Sequence, residues 1–241
     1  MRELRLALAD GTDVAAAVHV PDAAGGRAAA PVLLLPGARG DHGAEHLVAV
    51  ARLLAAAGHP VVRAALSSRP PGAGVVGLAE RSVGRMRDVL AAVRGLLDAS
   101  DRGFIVGGAS YGGRVASLAV AEAGGEQLGV IGLLLVAYPL HPPGRPDRLR
   151  VAHFGGIDVP VLMLSGDVDP FLTEDILEEH AGALAGPLDR IVVPGGRHDL
   201  SVSSRSAPDG VRRSPTEAVG EQGAALVAWA GALTGADVDG H

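Results

Sequence analysis

The sequence predicts an α/β fold in which helices cover both faces of a mostly parallel, doubly wound sheet. Six short runs of consecutive apolar residues have the length and composition of strands that are buried on both faces. Segments with the apolar spacing of amphipathic helices lie between these runs. Strands that alternate with helices in this way are typical of parallel sheets built from βαβ units.

The N-terminal segment has a different pattern, which predicts an antiparallel hairpin at the edge of the sheet. Asp10 and Gly11 form a turn signal between two stretches in which apolar residues alternate with other residues. Such alternation is typical of strands with one buried face. The alternating positions are Leu4, Leu6 and Leu8, followed by Val14, Ala16, Val18 and Val20.

The parallel part of the sheet follows in chain order. Strands are predicted at 31–35, 60–65, 104–106, 130–137, 160–164 and 191–193, and helices at 44–57, 77–98, 111–123, 172–185 and near 217–233. The stretch at about 138–159 is too short for a large lid domain, and no linker divides the chain. We therefore expect a single domain over residues 1–241.

Composition excludes several classes of function. The chain has no cysteine, lysine or asparagine, which excludes disulfides, thiolate chemistry, a P-loop lysine and N-glycosylation. Its net charge of −6 argues against nucleic acid as a partner. The N-terminus lacks the apolar core of a signal peptide, and the longest apolar stretch, near 130–140, is too short to span a membrane. We expect a soluble, cytoplasmic protein without a membrane partner.

One glycine-rich motif predicts a nucleophile. Residues 108–112 read Gly-Ala-Ser-Tyr-Gly, directly after a predicted strand and at the start of a predicted helix. A sharp strand-to-helix turn holds its serine near positive φ and needs small neighbours. The helix N-terminus then directs free N–H groups at a developing oxyanion. Ser110 is therefore the predicted nucleophile.

Two later loops supply a base and an acid. His198 is the one histidine that follows the last predicted strand closely, and Asp169 follows the preceding strand. In open α/β sheets such loops meet at the carboxyl edge. Asp167, in the same turn, is the alternative acid. The order serine, aspartate, histidine differs from the other two common triad orders.

An oxyanion hole needs two N–H donors. The backbone N–H of Tyr111 is the first, because it directly follows the nucleophile. The second is expected from the loop after the 31–35 strand, where Ala38 has the matching position.

These segments resemble the α/β-hydrolase superfamily. Within it they are most similar to the small branch of testis-expressed hydrolase-like proteins and the regulatory subunit of the NSL histone-acetyltransferase complex, with bacterial members described as dienelactone-hydrolase-like. The matching segments are Pro-Gly-Ala at 36–38, Gly-Ala-Ser-Tyr-Gly-Gly-Arg at 108–114, Tyr-Pro-Leu-His-Pro-Pro-Gly at 138–144, Ser165-Gly166 with Asp169, and His198. Tyr111 stands where these relatives often carry methionine, and Pro36 replaces the histidine of a common His-Gly oxyanion motif.

The resemblance implies the α/β-hydrolase fold, and with the triad it predicts a serine hydrolase. Its substrate is expected to be a small-molecule ester, thioester or lactone, cleaved through an acyl-enzyme without cofactor or metal. Some relatives act as complex subunits, so the alternative is a non-catalytic binding or scaffold protein on the same fold. The sequence leaves the oligomeric state open, a homo-oligomer included.

Two closely spaced histidines also suggest a metal site. Residues 42–46 read His-Gly-Ala-Glu-His, an inverted zinc-protease pattern in which His42 and His46 would share one helix face. The simpler interpretation is the first turn of a helix with Asp41 as its N-cap.

Four side chains and one loop are further candidates for the site. His141 either lines the site or caps a rigid turn. Arg39, Arg69 and Arg197 are candidates to bind an anionic substrate group. The Ser-, Arg- and Pro-rich stretch 201–215 is predicted to be a mobile loop that could gate the site.

Overall fold

The structure is a computed structural model that describes residues 1–21, 29–68 and 77–235. Its strands are β1 (Arg2–Ala7), β2 (Asp13–His19), β3 (Val32–Leu35), β4 (Val61–Ala64), β5 (Phe104–Ala109), β6 (Val130–Val136), β7 (Val161–Gly166) and β8 (Leu188–Val193). They form one eight-stranded sheet in the order β1-β2-β4-β3-β5-β6-β7-β8. β2 pairs antiparallel with β1 and with β4, and the other pairings are parallel.

Helices cover both faces of this sheet. They are α1 (Glu45–Ala56), α2 (Val83–Leu96), α3 (Tyr111–Ala123), α4 (Gly125–Leu128), α5 (Glu174–Ala181), α6 (Pro215–Glu221) and α7 (Gly223–Gly235), with 3₁₀ turns at Ala79–Ser82 and Phe154–Gly156. One apolar layer packs α2, α3 and α5 on one face, and a second packs α1, α6 and α7 on the other. The predicted doubly wound fold with an N-terminal antiparallel hairpin is confirmed.

β5 is longer than the sequence predicts, since it continues through two glycines to Ala109. A Cβ on Gly107 would lie 1.8 Å from the Leu134 carbonyl oxygen, and one on Gly108 would lie 2.1 Å from that of Leu35. The two neighbouring strands therefore approach β5 too closely for any side chain at these positions. The pattern of apolar residues does not indicate this close approach, so the predicted strand ended at residue 106.

The C-terminal helix also differs from its prediction, since the single helix expected near 217–233 is divided into α6 and α7. Ser214 caps α6 in a capping box: its side chain accepts from the Glu217 N–H, and the Glu217 carboxylate accepts from the Ser214 N–H. Pro215 occupies the first turn, where a backbone N–H has no partner within the helix, so the missing N–H of proline costs no hydrogen bond. The cap therefore moves the helix start two residues before the predicted one.

The connection between β6 and β7 contains no large inserted domain. This stretch is described throughout and contains only loops and the short turn Phe154–Gly156. The expectation of no large lid domain is confirmed for it. Within the described part of the chain, none of the helices has the length and apolar character needed to cross a bilayer.

Candidate active site

Ser110 lies at a strained turn between β5 and α3. Its φ is 48° and its ψ is −106°, a conformation that residues other than glycine rarely adopt. Its N–H donates to the Val136 carbonyl of β6 at 2.8 Å, so the neighbouring strand holds the turn. The predicted positive φ is confirmed, and the hydroxyl stands at the N-terminus of α3.

The next turn of the chain passes very close to β3. Gly112 lies in the first turn of α3, where a Cβ would be 2.4 Å from the Leu35 carbonyl oxygen. Any side chain at Gly112 would therefore push α3, and Ser110 with it, away from the sheet.

Gly112→Ala should lower the free energy of unfolding by about 1–3 kcal/mol through this overpacking. Gly84 offers a matched control, because it is also the second residue of a helix and its Cβ would meet nothing within 4 Å. Gly84→Ala should be neutral or stabilising by up to about 1 kcal/mol. Urea unfolding of both variants measures the difference, and equal stabilities would contradict the close approach.

Three side chains from different loops form a continuous chain of hydrogen bonds. His198 Nε2 lies 2.9 Å from Ser110 Oγ, and His198 Nδ1 lies 2.7 Å from Asp169 Oδ2. The carboxylate accepts the Nδ1 proton, which leaves Nε2 free to accept the serine proton. The Asp169 side chain is fully buried, whereas 30% of the His198 side chain is exposed. The imidazole therefore faces the solvent side, where a substrate would arrive.

The two aspartates of the β7–α5 turn have separate roles. Asp169 Oδ1 accepts the Phe171 N–H at 2.9 Å, so both of its oxygens are bonded. Asp167 Oδ1 instead accepts the Gly195 N–H at 2.6 Å and ties its turn to the end of β8. The structure brings Asp169, and not the alternative Asp167, to His198.

The loop after β3 lies directly beside the elbow. A Cβ on Gly37 would be 3.9 Å from Ser110 Cβ and 3.8 Å from the Ala109 carbonyl oxygen. A Gly40 N–H to Gly37 carbonyl bond of 2.9 Å closes this loop into a turn. Ala38 lies within that turn and Tyr111 begins α3, so both predicted oxyanion donors belong to backbone next to the serine.

Comparison with known proteins agrees with this arrangement of elements. The family profile described as "Alpha/beta hydrolase domain" matches residues 28–218. The chain belongs to the α/β-hydrolase family.

Solved structures of other α/β-hydrolases share the fold at low sequence identity. An α/β serine hydrolase without lid from Xanthomonas campestris is 20% identical, with a TM-score of 0.62 over 83% of this chain and 86% of that one. Dienelactone hydrolase from Anabaena variabilis is 16% identical, with a TM-score of 0.69 over 95% of each chain. Est1E from Butyrivibrio proteoclasticus is 15% identical, with a TM-score of 0.68 over 95% of this chain and 99% of that one. Membership of the testis-expressed and NSL branch stays a prediction.

The side chain of Tyr111 and the next turn of α3 hold the segment before α2. The Tyr111 hydroxyl lies 2.8 Å from Ser82 Oγ, and burial raises the pKa of this phenol. Arg114 forms an ion pair with Glu80 at 2.5 Å. These contacts position residues 80–82 beside the N-terminus of α3.

The structure contains a second serine–histidine pair, which the sequence did not reveal. Ser117 Oγ on α3 lies 2.8 Å from Nε2 of His153 and 2.9 Å from the Arg114 carbonyl oxygen. Ser117 is 0% exposed, so no substrate can reach its hydroxyl. Burial lowers the pKa of His153 to about 4, so this imidazole is neutral near pH 7. The pair joins α3 to the Phe154–Gly156 turn and serves packing.

The inverted zinc-protease pattern does not form a shared helix face. α1 begins at Glu45, so His42 lies outside it, and His42 Nε2 bonds to Glu3 Oε2 at 3.1 Å. The Asp41 N-cap is wrong: Ala44 holds that position, and Asp41 Oδ1 accepts the Gly43 N–H at 2.8 Å because the chain turns before the helix starts. Among the residues that the structure describes, no group of three or more potential ligands is placed to hold a metal ion.

The predicted anion-binding arginines stay a prediction. Arg39 and Arg197 are exposed and belong to different loops, those after β3 and β8. Arg69 lies outside the described residues.

The 201–215 stretch is joined by hydrogen bonds to the turn that carries His198. Val202 forms bridges with Gly196 and with Arg213, and Val202 itself is buried. Ser206 Oγ donates to the Gly195 carbonyl at 2.9 Å. The stretch thereby contacts the turn that carries the imidazole, and gating by it stays a prediction.

Phe171 is the site residue that sequence reasoning missed. Its ring packs edge-on against that of His198, with centroids 4.7 Å apart and an interplanar angle of 84°. His141, which is buried, also packs against this ring, 6.1 Å away between centroids. The available signal was its position two residues after Asp169. His141, predicted either to line the site or to cap a turn, does contact a residue of the site.

Proposed function

We propose that this chain is a serine hydrolase that cleaves a small ester, thioester or lactone through an acyl-enzyme. The observation that carries the proposal is the hydrogen-bonded series Ser110–His198–Asp169 on a positive-φ elbow. A serine hydroxyl is weakly nucleophilic until a base accepts its proton, and a buried carboxylate keeps that base in the correct tautomer. The structure has both partners within hydrogen-bond distance.

The reaction has two acyl-transfer steps. Ser110 Oγ attacks the substrate carbonyl carbon while His198 Nε2 takes the hydroxyl proton, and the buried Asp169 carboxylate stabilises the resulting imidazolium. The N–H groups of Tyr111 and Ala38 bind the oxyanion. His198 then gives the proton to the leaving alcohol or thiol, and the acyl group stays on Ser110. A water molecule repeats the sequence on the acyl-enzyme and releases the acid.

The β6–β7 connection and two structural relatives support the substrate class. No large lid covers the carboxyl edge between β6 and β7, and no extended cleft for a peptide is evident among the described residues. Ferulic acid is bound to Est1E, and the Anabaena variabilis relative is a dienelactone hydrolase. These relatives support a small acyl substrate.

Labelling with a fluorophosphonate probe tests the proposal. Wild-type protein should be labelled covalently, and Ser110→Ala should not. Ser117→Ala is a matched control, since Ser117 also has a histidine partner but is buried; this variant should be labelled like the wild type. Circular dichroism of each variant confirms that it is folded. Folded wild-type protein that neither reacts with the probe nor hydrolyses short acyl esters would indicate the non-catalytic binding protein instead.

A further inference from the structure

Phe171 contacts the acid and the base of the site at the same time. Its backbone N–H donates to Asp169 Oδ1 at 2.9 Å, while Asp169 Oδ2 bonds to His198. Its ring lies at 4.7 Å from the imidazole of His198 between centroids, almost perpendicular to it. A single residue therefore holds the carboxylate through its backbone and the imidazole through its side chain.

The ring of Phe171 also contacts a residue of the loop after β6. His141 packs against it at 6.1 Å between centroids and an interplanar angle of 72°. His141 is only 6% exposed, and its Nδ1 lies 3.0 Å from the Pro142 carbonyl oxygen. The Phe171 carbonyl also accepts the Leu140 N–H at 2.8 Å. The loop after β6 thus sets where the ring can lie.

The side chain of His198 is only partly enclosed by the protein. With 30% of its side chain exposed, the imidazole is held by its two hydrogen bonds and by the ring contact with Phe171. An aromatic ring packed edge-on against it favours this one orientation. Small displacements of a reacting group reduce rates strongly, by about 10²-fold for 1 Å.

We propose that Phe171 is a positioning residue for His198, and that the loop after β6 acts on the reaction through it. The inference rests on the proposed function, since it concerns the base of the same site. Phe171 takes no proton and touches no reacting atom. It fixes the imidazole in the orientation that joins Ser110 to Asp169.

The test compares Phe171→Leu with Phe171→Tyr on a short acyl ester. Both variants keep the backbone N–H on Asp169, so only the ring contact changes. Phe171→Leu should lower kcat by about 10–100-fold with KM within about twofold, and the rate constant of fluorophosphonate labelling should fall in parallel. Phe171→Tyr keeps a ring and should stay within about threefold of wild type.

Phe154→Leu is the matched control. Phe154 packs edge-on against another histidine, His153, at 5.3 Å between centroids, and the hydrogen-bond partner of His153 is Ser117 and not Ser110. This variant should lose stability, because Phe154 is fully buried, while its kcat stays near that of the wild type. Loss of kcat in Phe171→Leu and not in Phe154→Leu supports positioning over general loosening of the core. Phe171→Met replaces Phe171→Leu if the latter fails to fold.

The outcomes separate the inference from the proposed function. Wild-type labelling with an unchanged kcat and labelling rate in Phe171→Leu overturns the inference alone. A raised KM with unchanged kcat also overturns it, because the ring would then bind substrate without orienting the base. Absence of labelling in folded wild-type protein overturns the proposed function, on which the inference rests.

Discussion

Replacing His198 with alanine is expected to lower kcat for short acyl esters by a factor of roughly 10⁴–10⁶. The imidazole is the group within reach of the Ser110 proton, since its Nε2 lies 2.9 Å from Oγ. Without it, the serine must lose its proton to water, and the leaving group must depart without an acid. The small residual rate would come from the oxyanion donors and substrate binding.

His46→Ala provides the control for this variant. His46 lies in the first turn of α1 and interacts electrostatically with His198 and Asp199; burial lowers its pKa, while the Asp199 carboxylate acts in the opposite direction. Its loss removes a neighbouring imidazole without touching Ser110, so kcat should change by no more than about tenfold. Steady-state kinetics on both variants measure this. A nearly normal rate in His198→Ala would mean that another base serves Ser110.

Replacing Asp169 with asparagine is expected to lower kcat by about 10⁴-fold while the protein stays folded. An amide in this position can still accept the Phe171 N–H. It also presents an NH₂ group to the imidazole, which favours the tautomer with the proton on Nε2. That proton blocks the nitrogen that must accept the Ser110 proton.

Asp167→Asn is the matched control, because the same substitution is made two residues away in the same turn. Asp167 serves as an acceptor for the Gly195 N–H, and an amide oxygen can replace its carboxylate oxygen. Its kcat should therefore stay within about threefold of wild type. A larger loss in Asp167→Asn than in Asp169→Asn would reverse the assignment of the acid.

Much of the fold could be predicted because its determinants are local. Short apolar runs, helical spacing and a turn signal each depend on nearby residues that share one face of an element. These patterns predicted all eight strands of the sheet. The elbow was also predictable, since glycines around Ser110 are required by a single strained turn. One detail that failed depends on other parts of the chain: the extension of β5 through Gly107 and Gly108 reflects contacts with β3 and β6.

The candidate site could be predicted in part for the same reason. Asp167 and Asp169 both follow β7, and the position of Asp169 farther round the turn favoured it, but the sequence left Asp167 open as the alternative. Phe171 carries no periodic signal, and its contact with His198 joins loops that follow different strands.

The sequence by itself determined the order of strands and helices, the elbow at Ser110, and two short turns that hold an acid and a base. Only the tertiary structure decided which groups meet. Ser110 and His198 are 88 residues apart, and His198 and Asp169 are 29 apart. Their contact depends on the order β5-β6-β7-β8 within the sheet, which aligns the carboxyl ends of distant strands at one edge. Local residue patterns do not indicate that alignment. The packed sheet brings His198 within hydrogen-bond distance of both Ser110 and Asp169.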